Sequence, residues 1–271
     1  MTEEEKDAKA PGGERAASRT QRTLQPRTLQ PSTPQARSPR ERARAQTVAD
    51  IVRLGRQHLA VHGAAALSLR AVARDLGVVS SAVYRYVENR DELLTLLLID
   101  AYGELGDEVD AAVAAVPEGD HVGRFCAVGR AVRAWALREP ASYALLFGSP
   151  VPGYEAPAER TTGPGTRVIV TLVGILDAAA RAGRLMVREP GAADIPAALG
   201  PDLSAIRSQF NLDMSEELVA RGVLVWSALF GAVSFEVFNQ YGSDTFSAPG
   251  ELFDYHLRVL AGVAGLPGQG C

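Results

Sequence analysis

From Arg40 onward, large apolar side chains recur at three- and four-residue intervals, and no stretch of any length alternates with the two-residue period of a strand. That single period confines the chain to a bundle of helices. With 271 residues, 46% of them hydrophobic and 22% charged, there is material for one large helical body and a small extra module. The most apolar stretch, Leu218 to Phe238, is interrupted by Arg221, Ser227, Ser234 and Glu236 and reads as a buried helix rather than a membrane span. Thr2, Glu3, Glu4 and Glu5 open the chain with no apolar run behind them, so no secretory signal is expected and a cytoplasmic protein is.

The commoner routes to chemistry are missing. Gly163-Pro164-Gly165 follows no strand and reads as a helix start, so no nucleotide fold is expected. Cys126 and Cys271 form no Cys-x-x-Cys pair and are read as reduced thiols. His58 and His62 are four apart on one helical face, but Leu59 stands where a zincin motif needs Glu, so no metal site is expected. With no nucleophile and base, metal cluster or cofactor loop, the chain reads as no enzyme and as needing no cofactor.

Charge is distributed unevenly. Residues 1–39 carry a net +2, residues 40–90 a net +5 and residues 91–271 a net −11. A short basic module joined to a large acidic one is the electrostatic footprint of a nucleic-acid contact on a non-binding body. Residues 1–39 are rich in Pro, Gln, Ser, Thr and Arg and repeat Thr-Leu-Gln-Pro, at Thr23 and at Thr28, which predicts a disordered arm. The expected organisation is therefore an arm at 1–39, a DNA-binding domain at 40–90 and a helical domain at 91–271.

Within 40–90, Val48, Ile51, Val52, Gly55 and Leu59 mark a first helix ending near His62 and Gly63. Two very short helices follow. Ser68 is placed to cap one at Leu69 to Leu76, Gly77 to close it, and Ser80 to cap the next at Ser81 to Val87. Asn89, with Glu92 three residues later, starts a long helix from Arg90 toward Val116. Two short helices around a Gly-containing turn, with a longer one before them, make a helix-turn-helix whose second member enters a major groove. On that member Val83 suits a thymine methyl, Arg85 a guanine or phosphate, and the Tyr84 and Tyr86 hydroxyls suit phosphate oxygens. Arg90, ill-placed for the helix dipole, suits a phosphate as well. Further helices are expected at about 120–139, 141–147, 166–187, 202–209, 214–241 and 250–265, with loops at 148–164 and 188–201.

The run Leu67-Ser68-Leu69-Arg70-Ala71-Val72-Ala73-Arg74-Asp75-Leu76-Gly77-Val78-Val79-Ser80-Ser81-Ala82-Val83-Tyr84-Arg85-Tyr86-Val87 resembles the signature of TetR-family regulators, with Val87 where the family usually has Phe. The resemblance continues through Glu88-Asn89-Arg90-Asp91-Glu92-Leu93-Leu94 and implies DNA contacts at Ser68, Ser80, Ser81, Tyr84, Arg85, Tyr86 and Arg90. Arg70 and Val83 complete the expected DNA-binding set. Glu139-Pro140 through Tyr143, Leu146-Phe147-Gly148 and Trp226 to Gly231 resemble the C-terminal domain of a subgroup named for Trp, His and Gly, with Phe230 at the His position.

The resemblance implies an all-α protein: a three-helix head, then a bundle for effector binding and dimerisation. It also implies a homodimer through the helices near 214–241 and 250–265, with Val219, Gly222, Val223, Trp226, Phe230, Gly231 and Phe235 at the contact. Such a dimer reads a palindromic operator with half-sites about one helical turn apart. Trp135, Tyr143, Phe147, Met186, Phe210 and Trp226 are the expected walls of a pocket for an apolar effector. A repressor released by that small molecule is the expected function; a regulator or activator indifferent to ligands is the alternative.

Overall fold

The computed structural model describes residues 38–186 and 195–266. The expected arm falls outside them apart from its last two residues, as do Cys271 and the first part of the 188–201 loop. Among the described residues every regular element is helical. The chain opens with α1 (Pro39–His62), a 3-10 turn (Ala64–Ala66), α2 (Leu69–Asp75), α3 (Ser80–Val83) and α4 (Arg90–Ala114). It continues with α5 (His121–Arg138), α6 (Pro140–Phe147), α7 (Ala158–Arg181), a 3-10 turn (Ala197–Leu199), α8 (Gly200–Phe210), α9 (Glu216–Val237) and α10 (Pro249–Val263).

Local signals account for several boundaries. Gly77 takes φ 74° after α2, a conformation that costs glycine nothing, and its N–H reaches the Arg74 carbonyl. The Asn89 side chain accepts from the Glu92 N–H at 2.8 Å and caps α4. Asp120 caps α5 in the same way through Gly123 N–H. Ser80 departs from expectation: it is the first residue of α3, with Val79 at the cap position.

The larger departure is α7, which begins at Ala158, so that Gly163-Pro164-Gly165 lies inside the helix rather than at its start. Proline removes one ladder hydrogen bond there and glycine weakens the backbone. Packing offsets both. Thr161 is buried, Gly165 lies close against the Tyr102 ring, and Arg160 grips the Glu92 carboxylate with both terminal nitrogens at 2.6 and 3.0 Å.

Two apolar cores form. Ile51, Leu54, Val72, Val83, Val87, Leu93, Leu94 and Leu97 fill the head. Leu105, Val109, Phe125, Trp135, Tyr143, Leu172, Val225, Leu229 and Leu257 are among those that fill the body. The helix α4 serves both, its first three turns in the head core and Ala101, Leu105, Val109 and Val113 in the body core. It is therefore a rigid bar built into each. By length and composition α7 and α9 could cross a membrane, yet each packs on other helices of the body, α9 against α5, α7, α8 and α10.

One buried carboxylate holds a connection in place: Asp177 on α7 accepts from the N–H groups of Asp213 and Met214 at 2.8 and 2.9 Å. Cys126, wholly buried in α5, is not a free thiol, which corrects the expectation of a reduced cysteine there.

Candidate nucleic-acid interface and its coupling to the body

The two short helices are held by their apolar sides. Leu69, Val72 and Ala73 of α2, with Val83 and Val87 around α3, pack against Ile51 and Leu54 of α1 and Leu93 of α4. What that packing leaves outward is Arg70, Ser81, Tyr84 and Arg85, all exposed, with Tyr84 at 44%. Ser68 and Ser80 are half-buried, and Ser68, though at the cap of α2, makes no side-chain cap bond. The exposed set offers two hydroxyls and two guanidiniums, groups that donate to phosphates and base edges.

Val83 does not belong to that set. It is 1% exposed, in the middle of the head core, so its methyls face Val72 and its neighbours rather than a groove. On a helix of one turn a single position faces inward, and the partners α1 and α4 select it. Val83→Thr puts a hydroxyl into that core without a partner and is expected to cost about 1–3 kcal/mol of stability. Thermal melting checks it: an unchanged melting temperature together with weakened, sequence-selective DNA binding would return Val83 to the groove.

Tyr86 is half-buried and its ring carries the Arg44 guanidinium at 5.4 Å, tying α1 to the end of the recognition segment. Arg90 also turns inward. Its Nη2 donates to the carbonyls of Ala64 and Ala65 at 2.9 and 3.3 Å, clamping the 3-10 turn to the start of α4. Arg90→Ala is expected to weaken binding to all DNA alike and to lower the salt slope by about one for each head bound. An unchanged slope with a lower melting temperature would leave only the clamp.

Polar links join head and body. Arg56 on α1 reaches Asp100, Glu104 and Glu139 at 3.2, 2.7 and 2.8 Å. The Arg56 pKa is raised: burial pulls it down, but the hydrogen bond to Glu139 and the Glu104 charge outweigh that. The Thr95 hydroxyl lies 2.9 Å from the Tyr154 hydroxyl, and burial, above all, pushes that phenol up. Within the head, His58 and the Asp75 carboxylate lie 2.6 Å apart, and this bond holds Asp75 below the usual carboxylate range.

In the body, three of the expected pocket residues meet. Tyr143, Phe147 and Trp226 surround Phe230, with ring centroids 4.5 Å apart for Phe147 and Phe230 and 4.2 Å for Trp226 and Phe230. Trp135 and Tyr143 are wholly buried; Phe210 is half-buried at the end of α8 and Met186 is 53% exposed after α7. None of the six lines the clefts described among these residues. The largest of these, about 680 Å³, lies where α1 and its following turn meet α6 and the loop after it. It carried no sequence signal, since its walls are mostly alanine, glycine and proline.

The last two long helices present an apolar outer face: Val223, Leu224 and Phe235 of α9, Tyr255 and Val259 of α10 are all exposed. Val219, Gly222 and Phe230, expected on that face, point into the body instead. A helix of 22 residues has two apolar sides here, and the pattern alone does not rank them.

A basic helix-turn-helix on an acidic helical body defines a DNA-reading regulator, and comparison with known proteins gives the family. Residues 125–260 match the model of the Tetracyclin repressor-like, C-terminal domain. Over 221 residues the chain is 47% identical to HTH-type transcriptional regulator Rv1816 of Mycobacterium tuberculosis, a match covering 82% of this chain and 93% of that one. The solved regulatory protein SCO4313 is 34% identical, with a TM-score of 0.67 over 83% of this chain and 100% of its own. A bacterial regulatory protein in the tetR family from Rhodococcus RHA1 shares the fold at 16% identity, TM-score 0.54, over 82% of this chain and 99% of its own. The chain belongs to the TetR family of helix-turn-helix regulators, and it is a DNA-binding regulator of transcription.

Proposed function

We propose that the protein works in the cytoplasm as a homodimeric repressor, holding a palindromic operator and leaving it when a small apolar effector binds. The observation that carries the DNA half is the exposed set of Arg70, Ser81, Tyr84 and Arg85, fixed from behind by buried Val72, Val83 and Val87. Reading residues held by a packed core are pre-organised, so little ordering entropy is spent on binding. Residues 40–90 form the head and 91–271 the effector-binding and dimerising domain, with α4 shared by both cores.

Dimerisation uses the outer face of α9 and α10. Val223, Leu224, Phe235, Tyr255 and Val259 are all exposed there, and apolar side chains grouped on adjacent helices support a partner surface. Two heads on one dimer demand half-sites about one helical turn apart. Effector release follows from linkage: a ligand favouring a dimer with its heads out of register weakens DNA binding by the factor by which DNA weakens ligand binding.

The test is a footprint on the DNA flanking the protein's own gene at fixed salt, with and without a panel of apolar compounds. A palindromic footprint relieved by one of them is expected. A footprint that none relieves would replace this reading with a regulator that answers to no ligand.

A further inference from the structure

We infer that the cleft between α1 and α6 binds a small, uncharged, mainly apolar molecule and is where the effector acts, an inference that rests on the effector-responsive reading above. Its volume of about 680 Å³ falls within the range of small-molecule sites. Leu59, Ala64 and Ala65 form the head side; Ala144, Val151 and Phe238 stand on the body side. No residue lining the cleft is charged, and Ser149 and Gln240 supply its only polar side chains. An ion in such a site would lose its hydration with no partner to replace it, so the fitting ligand is neutral, with one or two hydrogen-bonding groups.

The cleft is placed to act on DNA reading. The carbonyls of Ala64 and Ala65 are the two that Arg90 holds, and Ser68, at the cap of α2, follows Ala65 by three residues. A molecule between the walls therefore bears on the link between the 3-10 turn, α2 and the bar of α4. On the body side Phe238 packs on Tyr143, at 5.9 Å between ring centroids, so the cleft also abuts the aromatic layer. Val151 and Leu145 line the cleft and also pack against the head core. Head and body thus meet here through small side chains, and a ligand that prefers the parted arrangement shifts the equilibrium by its differential affinity.

The probe is N-phenyl-1-naphthylamine, a neutral two-ring fluorophore, titrated into the full chain. Ala144→Phe fills the cleft from α6, and Ala65→Leu narrows it from the opposite wall, so the test survives if one variant folds poorly. Saturable binding by the natural chain is expected. At least a tenfold loss of affinity is expected in each variant that melts within a few degrees of it. Binding retained within twofold in both variants would overturn the cleft as the site, as would no saturable binding by the natural chain. The same samples in a gel shift on the DNA flanking the gene separate the two readings. Probe that weakens DNA binding in variants and natural chain alike overturns the cleft and keeps effector control. Probe bound in the cleft with no effect on DNA keeps the site and overturns effector control.

Discussion

Arg85→Ala should weaken operator binding roughly thirty-fold to twenty-thousand-fold, and much less on random DNA. Arg85 is exposed and forms no ion pair among the described residues, so its guanidinium is free to pair with a base edge. One such base contact is worth about 1–3 kcal/mol, and a dimer loses it in both heads, about 2–6 kcal/mol in all. Phosphate contacts do not depend on sequence, which is why the loss should be concentrated at the operator. Gel shifts on operator and random duplexes at one salt concentration check this. Equal losses on the two would show that Arg85 meets phosphate instead. Stability should be unaffected, because the side chain touches no core.

Tyr143→Ala should have the opposite profile, a large loss of stability with DNA binding affected only through the folded fraction. Tyr143 is wholly buried, its ring packs on Phe147 and Phe238, and its hydroxyl donates to the Phe230 carbonyl at 3.1 Å and lies 2.8 Å from Ser234 Oγ. Burial pushes the phenol up, so it stays a neutral donor at physiological pH. Emptying such a site costs about 3–5 kcal/mol, and at about 2–4 °C per kcal/mol the melting temperature should fall by roughly 6–20 °C. Tyr143→Phe keeps the ring and strands one acceptor, at a cost of about 1 kcal/mol. A Tyr143→Ala protein melting within a few degrees of the natural one would mean that the aromatic layer is not close-packed.

The head was more legible in the sequence than the body because its signals are local. A glycine needing positive φ at Gly77 and a cap at Asn89 act over a few residues, and the structure places both as read, whereas the second short helix is Ser80–Val83 rather than Ser81 to Val87. The body repeats one apolar pattern on long helices, and pattern does not say which neighbour an apolar face meets. The pattern sets Val219 and Phe230 outward where packing turns them inward, and it does not single out Leu224, Tyr255 and Val259, which are exposed. The expected pocket followed large aromatic side chains, which fill space, whereas the largest described cleft is bounded by small ones.

By itself the sequence determined an all-helical chain and a basic helix-turn-helix beside an acidic body. Period, capping and charge are properties of neighbouring residues, and they survive any arrangement of the rest. Only the tertiary structure decided that Val83 serves the core, that α7 runs through Pro164, that Arg90 clamps the turn before α2, and that a neutral cleft separates α1 from α6. Each of those depends on residues tens of positions apart being brought within a few ångströms, where burial and packing outweigh local preference.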